Sequence, residues 1–210
     1  MRKKAYLTFA LCLLLVFSLV ACEKDYIKIE AVRLRANSYL VISQDDLSHQ
    51  IGDLVTISFP AKLDQPPVGS LAQISLSQEI RESYPPQADA KAVELIDEKA
   101  LVVTDPNVAE KIAWHLGENV FLIDVRTEAE YIEGHISGSL LMPVEVIADR
   151  IVDEIPDRDA VLLLYCRSGN RSATAGKMVR ELGYSLVIDA GGIIKYEGKL
   201  ITGSDPGAMP

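Results

Sequence analysis

Cys166 is the residue best suited to chemistry, because it lies between an apolar run and a short basic loop. The run Val161–Tyr165 has the length and composition of a buried strand, and a helical pattern begins at Arg171. A loop that leads into the N-terminus of a helix presents backbone N–H groups, and Arg167 and Arg171 add full positive charges. Positive potential stabilises a thiolate, which is the nucleophilic form of cysteine. We therefore predict a reactive thiol at Cys166.

The loop after Cys166 is predicted to surround the sulfur with hydrogen-bond donors. An unassisted cysteine has a pKa of about 8.5, so only a few per cent of it is ionised near neutral pH. A ring of backbone N–H groups binds an anion, and Gly169 permits the positive φ that such a ring requires. The guanidinium groups would bind an anionic donor, and the other loop residues would act mainly through the backbone. The predicted substrate-binding residues are Arg167, Ser168, Gly169, Asn170, Arg171 and Ser172.

The N-terminus has the pattern of a secretory signal. Residues 2–4 are basic, and residues 5–20 are uncharged and largely apolar. The segment Leu19–Cys22 resembles a bacterial lipobox, whose cysteine is diacylated and becomes the first residue after cleavage. We therefore predict a signal peptide over residues 1–21, a lipid on Cys22 and an extracytoplasmic, membrane-anchored protein. Plain secretion and an uncleaved membrane anchor are the alternatives.

Cleavage at that position would leave Cys166 as the single free thiol. Cys12 would leave with the signal peptide and Cys22 would carry the lipid, so the mature chain could form no intramolecular disulfide. An inert, buried cysteine is the alternative interpretation of Cys166. Loss of the three basic residues would also change the formal net charge from −9 to −12. Such an acidic protein is not expected to bind nucleic acid or an anionic lipid surface, so membrane attachment would come from the lipid.

Residues 31–98 are predicted to form a small all-β domain, after a tether over residues 22–30. Short strand-like runs alternate with segments that contain Gly, Pro and Ser, as in small barrels. The segments Gly52–Ile57 and Ile80–Ala88 resemble those of a small OB-like domain of some bacterial lipoproteins. This unit carries no evident chemistry, and the acidic balance of the chain argues against the binding of oligonucleotides.

Residues 101–205 alternate between apolar runs of strand length and helical segments. A helix is predicted to begin at Asp105–Pro106, because Asp caps a helix and Pro suits its first position. Another helix is predicted over Val144–Ile155 from the spacing of its isoleucines. Continuous apolar strands joined by helices indicate an α/β fold whose parallel sheet is covered on both faces. The final residues, 203–210, are expected to be frayed.

Four segments in this part of the chain resemble the rhodanese family of sulfurtransferases, in the order that the family has. They are Asp124–Arg126, the turn Gly134–Ser139, the loop Tyr165–Ser172 and the glycine pair with its neighbour, Gly191–Ile193. Each segment alone is a weak signal, whereas all of them in order, with the cysteine loop intact, are specific. The resemblance covers residues 101–202.

The resemblance implies a parallel sheet flanked by helices, and a Cys166 that accepts a sulfane sulfur as a persulfide and passes it to a nucleophile. The donor is expected to be a small sulfur compound such as thiosulfate, and the acceptor a thiol or cyanide. Asp124, Arg126 and His135 are expected to support the cysteine loop from behind. No cofactor and no metal are expected.

Other functions of the cysteine loop stay open as alternatives. One is a module that holds or senses sulfur species, or docks a partner, without turnover. Another is a phosphatase or arsenate reductase, but the related phosphatases have a C-x5-R loop, whereas four residues separate Cys166 from Arg171. A shorter ring of amides suits a sulfur atom better than a tetrahedral oxyanion. A cysteine protease is disfavoured, because no histidine forms a family signature with Cys166.

Overall fold

The computed structural model describes residues 26–44, 53–98 and 101–208, which form two units in contact with each other. The predicted signal peptide over residues 1–21 and the predicted lipidation site Cys22 lie outside the described residues. Among the described residues, no helix has the length and apolar character needed to cross a bilayer.

The N-terminal unit is a closed barrel with the strand order β1-β2-β3-β5-β4. Neighbouring strands are antiparallel except β3 and β5, which are parallel. Alternate residues of each strand point to opposite faces, so Ala72, Ile74 and Leu76 of β4 are all buried in the barrel. The predicted all-β character of this unit is confirmed, and its likeness to an OB-like domain stays a prediction. The strands are β1 (Ile27–Arg35), β2 (Ser38–Gln44), β3 (Leu54–Ser58), β4 (Leu71–Leu76) and β5 (Gln87–Asp97).

The first strand begins earlier than the sequence suggested. β1 starts at Ile27, so the predicted tether over residues 22–30 is wrong for residues 27–30. The charged residues Lys28 and Glu30 gave this segment the composition of a tether. They alternate with the buried Ile27 and Ile29, which is the pattern of a strand with one solvated face.

The C-terminal unit is a parallel sheet with the strand order β6-β10-β9-β7-β8. The helix Pro106–Leu116 packs with the buried side chains on one face of this sheet, whereas the helices Ile147–Glu154 and Asn170–Glu181 pack with those on the opposite face. The predicted α/β fold with a parallel sheet covered on both faces is confirmed. Its strands are β6 (Val102–Val103), β7 (Val120–Asp124), β8 (Leu140–Leu141), β9 (Val161–Cys166) and β10 (Leu186–Gly192). Its helices are α1 (Pro106–Leu116), α2 (Glu128–Glu133), α3 (Ile147–Glu154) and α4 (Asn170–Glu181), and Ile193–Lys195 form a 3₁₀ turn.

The two predicted helices differ in how well their bounds agree with the structure. The α1 helix begins as predicted, because Oδ1 of Asp105 accepts the N–H groups of Asn107 (2.8 Å) and Val108 (3.2 Å). The α3 helix is shorter than predicted. The carbonyl of Pro143 accepts the N–H groups of Val146 (2.9 Å) and Ile147 (3.0 Å), so a turn takes up the first residues.

Residues 201–208 pack against the Gly134–Ser139 turn. His135 and Ile201 exchange two backbone hydrogen bonds of 2.9 Å, and the N–H of Gly138 donates to Pro206 O at 2.6 Å. The Ser137 hydroxyl donates to Ala208 O at 2.7 Å. The predicted fraying is therefore wrong for residues 203–208, because the turn offers donors that this segment satisfies.

The barrel packs against the parallel sheet at the N-terminal ends of the sheet strands. The Arg35 guanidinium donates to Glu118 O at 2.6 Å, and Lys111 pairs with Asp53 at 2.8 Å. Apolar side chains join the two units in one continuous core, so the interface is not purely polar. The shared core includes, from the barrel, Val32, Leu34, Leu40 and Leu54 and, from α1, Val108 and Ile112.

Candidate active site

Cys166 is the last residue of β9, so it lies at the C-terminal ends of the parallel strands. The chain turns over residues 167–169 and enters α4 at Asn170. Gly169 makes this turn in the left-handed region, at φ 108°, which glycine adopts without strain. The turn brings the Gly169 N–H to 3.1 Å from the Cys166 Sγ. The sulfur thus lies inside its own loop, next to the start of a helix.

The charge state of Cys166 is set by a balance between burial and hydrogen bonding. Burial of the residue, which is 1% exposed, raises the pKa of its thiol. Hydrogen bonds from the backbone N–H groups of Ser172 and Gly169 lower that pKa, and the Ser172 hydroxyl and the Ser168 N–H lower it further. The net result is a pKa below the ordinary value of a cysteine. The cysteine is buried, but its surroundings favour the thiolate.

Ser172 contributes its side chain as well as its backbone to this site. The residue is fully buried, and its hydroxyl donates to Gly169 O at 2.9 Å and lies 3.3 Å from Gly191 O. The same oxygen lies 3.7 Å from the Cys166 Sγ. The Ser172 side chain is therefore part of the site, in addition to its backbone N–H, which lowers the pKa of Cys166 more than the hydroxyl does. The side chains of Ser168 and Asn170 are exposed, and Ser168 acts on the sulfur through its backbone N–H.

The glycine pair Gly191–Gly192 forms the floor under the cysteine loop. A Cβ atom on Gly192 would lie 2.7 Å from both Arg167 O and Ser168 Cα, which is closer than real Cβ contacts. The Ile194 N–H also donates to Arg167 O at 3.4 Å. The end of β10 therefore presses directly on the loop, and only glycine leaves room for it.

Arg171 is held in place by Glu130, a residue that the sequence analysis did not single out. The guanidinium makes two hydrogen bonds of 2.7 Å to the Glu130 carboxylate, across 41 residues of sequence. The Thr127 hydroxyl also donates to Glu130 at 2.9 Å, as part of a capping box at the start of α2. That local signal, Thr127-x-x-Glu130, is visible in the sequence.

The ion pair changes the electrostatics of the loop. The Arg171 guanidinium, followed by hydrogen bonds from Thr127, lowers the pKa of Glu130 to about 2. Glu130 in turn raises the pKa of Arg171, and Cys166 adds to that rise. Arg171 therefore interacts with both the carboxylate and the sulfur, so its positive charge is only partly available to a substrate.

Arg167 is placed differently from Arg171. It is exposed, and within 26–44, 53–98 and 101–208 no hydrogen bond or ion pair engages its guanidinium. Its carbonyl is fixed by the Ile194 N–H, so the base of the side chain is fixed while the charged end reaches solvent. Of the two arginines predicted to bind substrate, Arg167 is the one that could meet an anion arriving from outside.

Asp124 and Arg126 form a buried pair at the end of β7, beside β9. The shortest contact of the pair is 2.6 Å, and the Arg126 guanidinium also donates to Gly134 O at 2.6 Å. The pair therefore ties the end of a central strand to the turn that follows α2. Support of the cysteine loop by Asp124 and Arg126 stays a prediction.

His135 and Tyr165 complete the attachment of that turn. The His135 ring stacks on Tyr131 with centroids 3.6 Å apart, and its nitrogens contact Tyr131 O (2.9 Å) and Asp205 O (3.1 Å). Tyr165 directly precedes Cys166 in the chain, and its hydroxyl accepts the Ile136 N–H at 3.2 Å. The hydrogen bonds of His135 thus hold α2 and the chain end, whereas Tyr165 links the turn to β9.

Comparison with known proteins places this geometry in a family. A family model described as a rhodanese-like domain matches residues 108–199. The thiosulfate sulfurtransferase PspE of Escherichia coli K12 is 34% identical over 71 residues, which are 34% of this chain and 68% of PspE. The chain belongs to the rhodanese family.

Other members agree with this assignment. A sulfurtransferase of Allochromatium vinosum is 41% identical over 80 residues, which are 38% of this chain and 73% of the relative. A solved structure described as a rhodanese with anions from E. coli is 30% identical, with 40% of this chain and 99% of that one covered and a TM-score of 0.38. The two sequence relatives identify the C-terminal unit as a rhodanese domain of the sulfurtransferase type. No group of His, Cys, Asp and Glu side chains that could hold a metal ion occurs in the part of the chain that the structure describes.

Proposed function

We propose that this rhodanese domain transfers sulfane sulfur from a small anionic donor such as thiosulfate to a thiol or cyanide, through a persulfide on Cys166. The observation that carries the proposal is the hydrogen bond of 3.1 Å from the Gly169 N–H to the Cys166 Sγ, within a loop that lowers the pKa of the thiol. A donor of this kind delivers a single sulfur atom, which suits a nucleophile buried under its own loop.

Both half-reactions use the same sulfur and the same donors. The Cys166 thiolate attacks the outer sulfur of thiosulfate, the S–S bond of the donor breaks, and sulfite leaves with the bonding electron pair. The resulting persulfide is also an anion, so the N–H groups that hold the thiolate can hold it. A thiolate or cyanide then attacks the terminal sulfur, and the Cys166 thiolate is restored as the leaving group.

The two arginines of the loop would divide the work. Arg167 offers an unengaged guanidinium at the exposed side of the loop, where a charged donor arrives. Arg171 is held by Glu130 and contributes to the stability of the loop and to the potential at the sulfur. This division also separates the site from a phosphatase, whose loop arginine must be free to bind an oxyanion.

We also infer that the protein is an extracytoplasmic lipoprotein attached to a membrane through Cys22. The basic residues 2–4, the apolar residues 5–20 and the lipobox-like Leu19–Cys22 support this location. Growth of cells with labelled palmitate tests it: the full chain should take up label, and Cys22→Ser should not. Label that persists in Cys22→Ser, or is absent from both, would contradict the anchor.

Intact mass measurement tests the sulfur transfer. The soluble chain from residue 22, with Cys22→Ser, is incubated with thiosulfate, and a gain of one sulfur atom on Cys166 is expected. Addition of cyanide or a thiol should remove that mass and yield thiocyanate or a persulfide. Cys166→Ser should gain nothing and stay folded. Loading without removal would support a carrier or sensor instead, and no loading by a folded protein would contradict both functions.

A further inference from the structure

The barrel has a wide cleft at the end where its first strand begins. This barrel-end cleft, of about 560 Å³, is lined by two aromatic and three charged side chains among others. The residues that matter here are Tyr26, Phe59, Lys62, Asp89 and Lys91. Strand register places them together: Ser58, next to Phe59, pairs with Asp89, and Ile27, next to Tyr26, pairs with the end of β4.

The charge of the barrel-end cleft is opposite in sign to that of the whole protein. Lys62 and Lys91 are exposed, and Asp89 is the one carboxylate that lines the cleft among the described residues. Asp89 is engaged by Arg81 through two hydrogen bonds of 2.9 and 3.0 Å, which lower the pKa of the carboxyl. Its charge is thereby offset, and the lysines dominate. The formal net charge of the chain is −9, so this cleft is a local exception.

The position of the barrel-end cleft in the chain indicates what faces it. Tyr26 lies four residues after Cys22. An extended chain spans at most about 3.6 Å per residue, so Tyr26 lies within about 14 Å of the proposed lipid attachment. Arg35 and Asp53, which contact the rhodanese domain, lie at the other end of the barrel, together with the barrel residues of the shared apolar core. The cleft is therefore the part of the folded protein that an anchored chain would hold closest to the bilayer.

We infer that the barrel-end cleft binds the phosphate headgroups of anionic phospholipids in the membrane that holds Cys22. This inference rests on the proposed lipid anchor, which places the N-terminal end of the barrel next to the membrane. Tyrosine is enriched at membrane–water interfaces, and lysines near an anionic bilayer each raise binding by about fivefold. Net charge alone argues against an anionic lipid surface, but the binding of a headgroup depends on the local charge within a Debye length.

Vesicle sedimentation tests the inference on a protein without the lipid anchor, and it does not depend on sulfur transfer. The chain from residue 22 with Cys22→Ser contains every described residue, so the folded part of the protein is complete. It should sediment with vesicles that contain phosphatidylglycerol and stay free of pure phosphatidylcholine vesicles. Binding should weaken as salt is added. Lys62→Gln with Lys91→Gln should lower the binding constant by about twenty-fivefold, at about fivefold per lysine.

Matched variants make the outcome specific to the barrel-end cleft. Lys177→Gln with Lys199→Gln removes the same charge from exposed positions on the rhodanese domain and should leave binding unchanged. Equal loss in both pairs, or no binding to anionic vesicles by the unmodified cleft, would overturn the inference. Palmitate labelling and thiosulfate loading are scored separately. An anchored, active protein whose cleft does not bind vesicles refutes only this inference, whereas vesicle binding without label refutes only the anchor.

Discussion

Cys166 is a buried thiol whose charge depends on neighbouring donors rather than on water. Burial alone would keep it protonated, as in an inert core cysteine. The backbone N–H groups of Ser172 and Gly169 reverse that tendency. The proposed reactivity of this residue thus depends on the geometry of the loop, and single changes that leave the cysteine in place should alter it.

Ser172→Ala should raise the pKa of Cys166, because the hydroxyl lowers that pKa when its single proton turns from Gly169 O to the thiolate Sγ, 3.7 Å away. A thiolate forms above its pKa, so the rise of the thiosulfate loading rate with pH should move to higher pH. The measurement is loading rate against pH, with the alkylation rate as an independent reading. Ser168→Ala removes an exposed hydroxyl from the same loop and should leave the profile in place. Coincident profiles for Ser172→Ala and the unchanged protein would refute the role of this hydroxyl.

Glu130→Gln should destabilise the protein by about 1–2 kcal/mol at neutral pH, between the values of an exposed and a buried ion pair. The Glu130 pKa falls from 4.5 to about 2 in the folded protein. A lowered pKa gives stability that is complete above the unfolded value and is lost as pH falls through the folded value. The difference in unfolding free energy should therefore shrink between pH 4.5 and pH 2, as measured by urea unfolding.

The control for this change is Glu128→Gln, which removes an exposed carboxylate from the same turn of α2. It should have a much smaller effect, since Arg171 does not contact it. A destabilisation by Glu130→Gln that persists unchanged at acid pH would show that the carboxylate charge is not the cause. Arg171→Ala should reproduce the destabilisation and slow loading more than Arg167→Ala, because Arg171 holds α2 as well as the loop.

The site residues that sequence could identify are the ones that lie together in the chain. Cys166, Arg167 and Gly169 were identifiable because a strand, a loop and a helix follow each other there. Glu130 and Gly192 reach the same loop from distant segments, and periodicity carries no information on such contacts. The resemblance to the family marked the glycine pair, but the reason for it, that a Cβ on Gly192 would lie 2.7 Å from the loop backbone, needs the folded chain.

The cysteine loop is supported at the level of elements by the end of β10. Strands β9 and β10 are paired from Leu186 opposite Val161 onward, and the register shifts before Gly192 meets Cys166. This irregularity lets the glycine pair turn under the loop instead of continuing the ladder. The shape of the cysteine loop therefore depends on a neighbouring strand as much as on the sequence of the loop.

Gly192→Ala should displace the loop, because the new methyl group would meet Arg167 O and Ser168 Cα at 2.7 Å. Overpacking of this kind costs about 1–3 kcal/mol, and the Gly169 N–H should move away from the sulfur. Both the unfolding free energy and the loading rate should fall. The backbone at Gly192 has φ −110°, so the effect would come from contact and not from torsional strain.

Gly176→Ala is the matched control, since it is the same change in the middle of α4. A Cβ atom there would meet only ordinary contacts of 3.5 Å or more, and alanine favours a helix by about 0.5–1 kcal/mol over glycine. This variant should be as stable as the unchanged protein or more so, with normal loading. If Gly192→Ala loads sulfur at the normal rate, as Gly176→Ala should, the glycine pair does not shape the cysteine loop.

Element bounds could be predicted where a local signal fixes them. Asp105 marked the start of α1, and the apolar run before Cys166 marked β9. The start of β1 was missed, because Lys28 and Glu30 on the solvated face conceal the alternation. The start of α3 was misplaced because Pro143 begins a turn that competes with the helix for Val146. At both of the missed starts, a tertiary or turn contact overrode the local composition.

At the scale of the whole molecule, the barrel and the rhodanese domain are arranged end to end. The barrel meets the sheet where its strands begin, near Glu118, whereas Cys166 lies where they end. The barrel-end cleft lies at the far end of β1, whose nine residues span about 27 Å. The shared apolar core between the units makes this arrangement a fixed one. With the proposed anchor in place, the barrel would therefore separate the membrane from Cys166.

This arrangement predicts that binding to anionic vesicles leaves the thiosulfate loading rate of Cys166 unchanged. An anionic bilayer repels an anionic donor, but the repulsion extends only about 10 Å at moderate salt. The length of β1 alone exceeds that distance, so a donor that approaches Cys166 should not sense the bilayer. Loading is measured with and without saturating phosphatidylglycerol vesicles, and with phosphatidylcholine vesicles as the control for crowding. A loading rate that falls only with the anionic vesicles, and recovers at high salt, would mean that the cysteine loop faces the membrane and that the barrel is not a spacer.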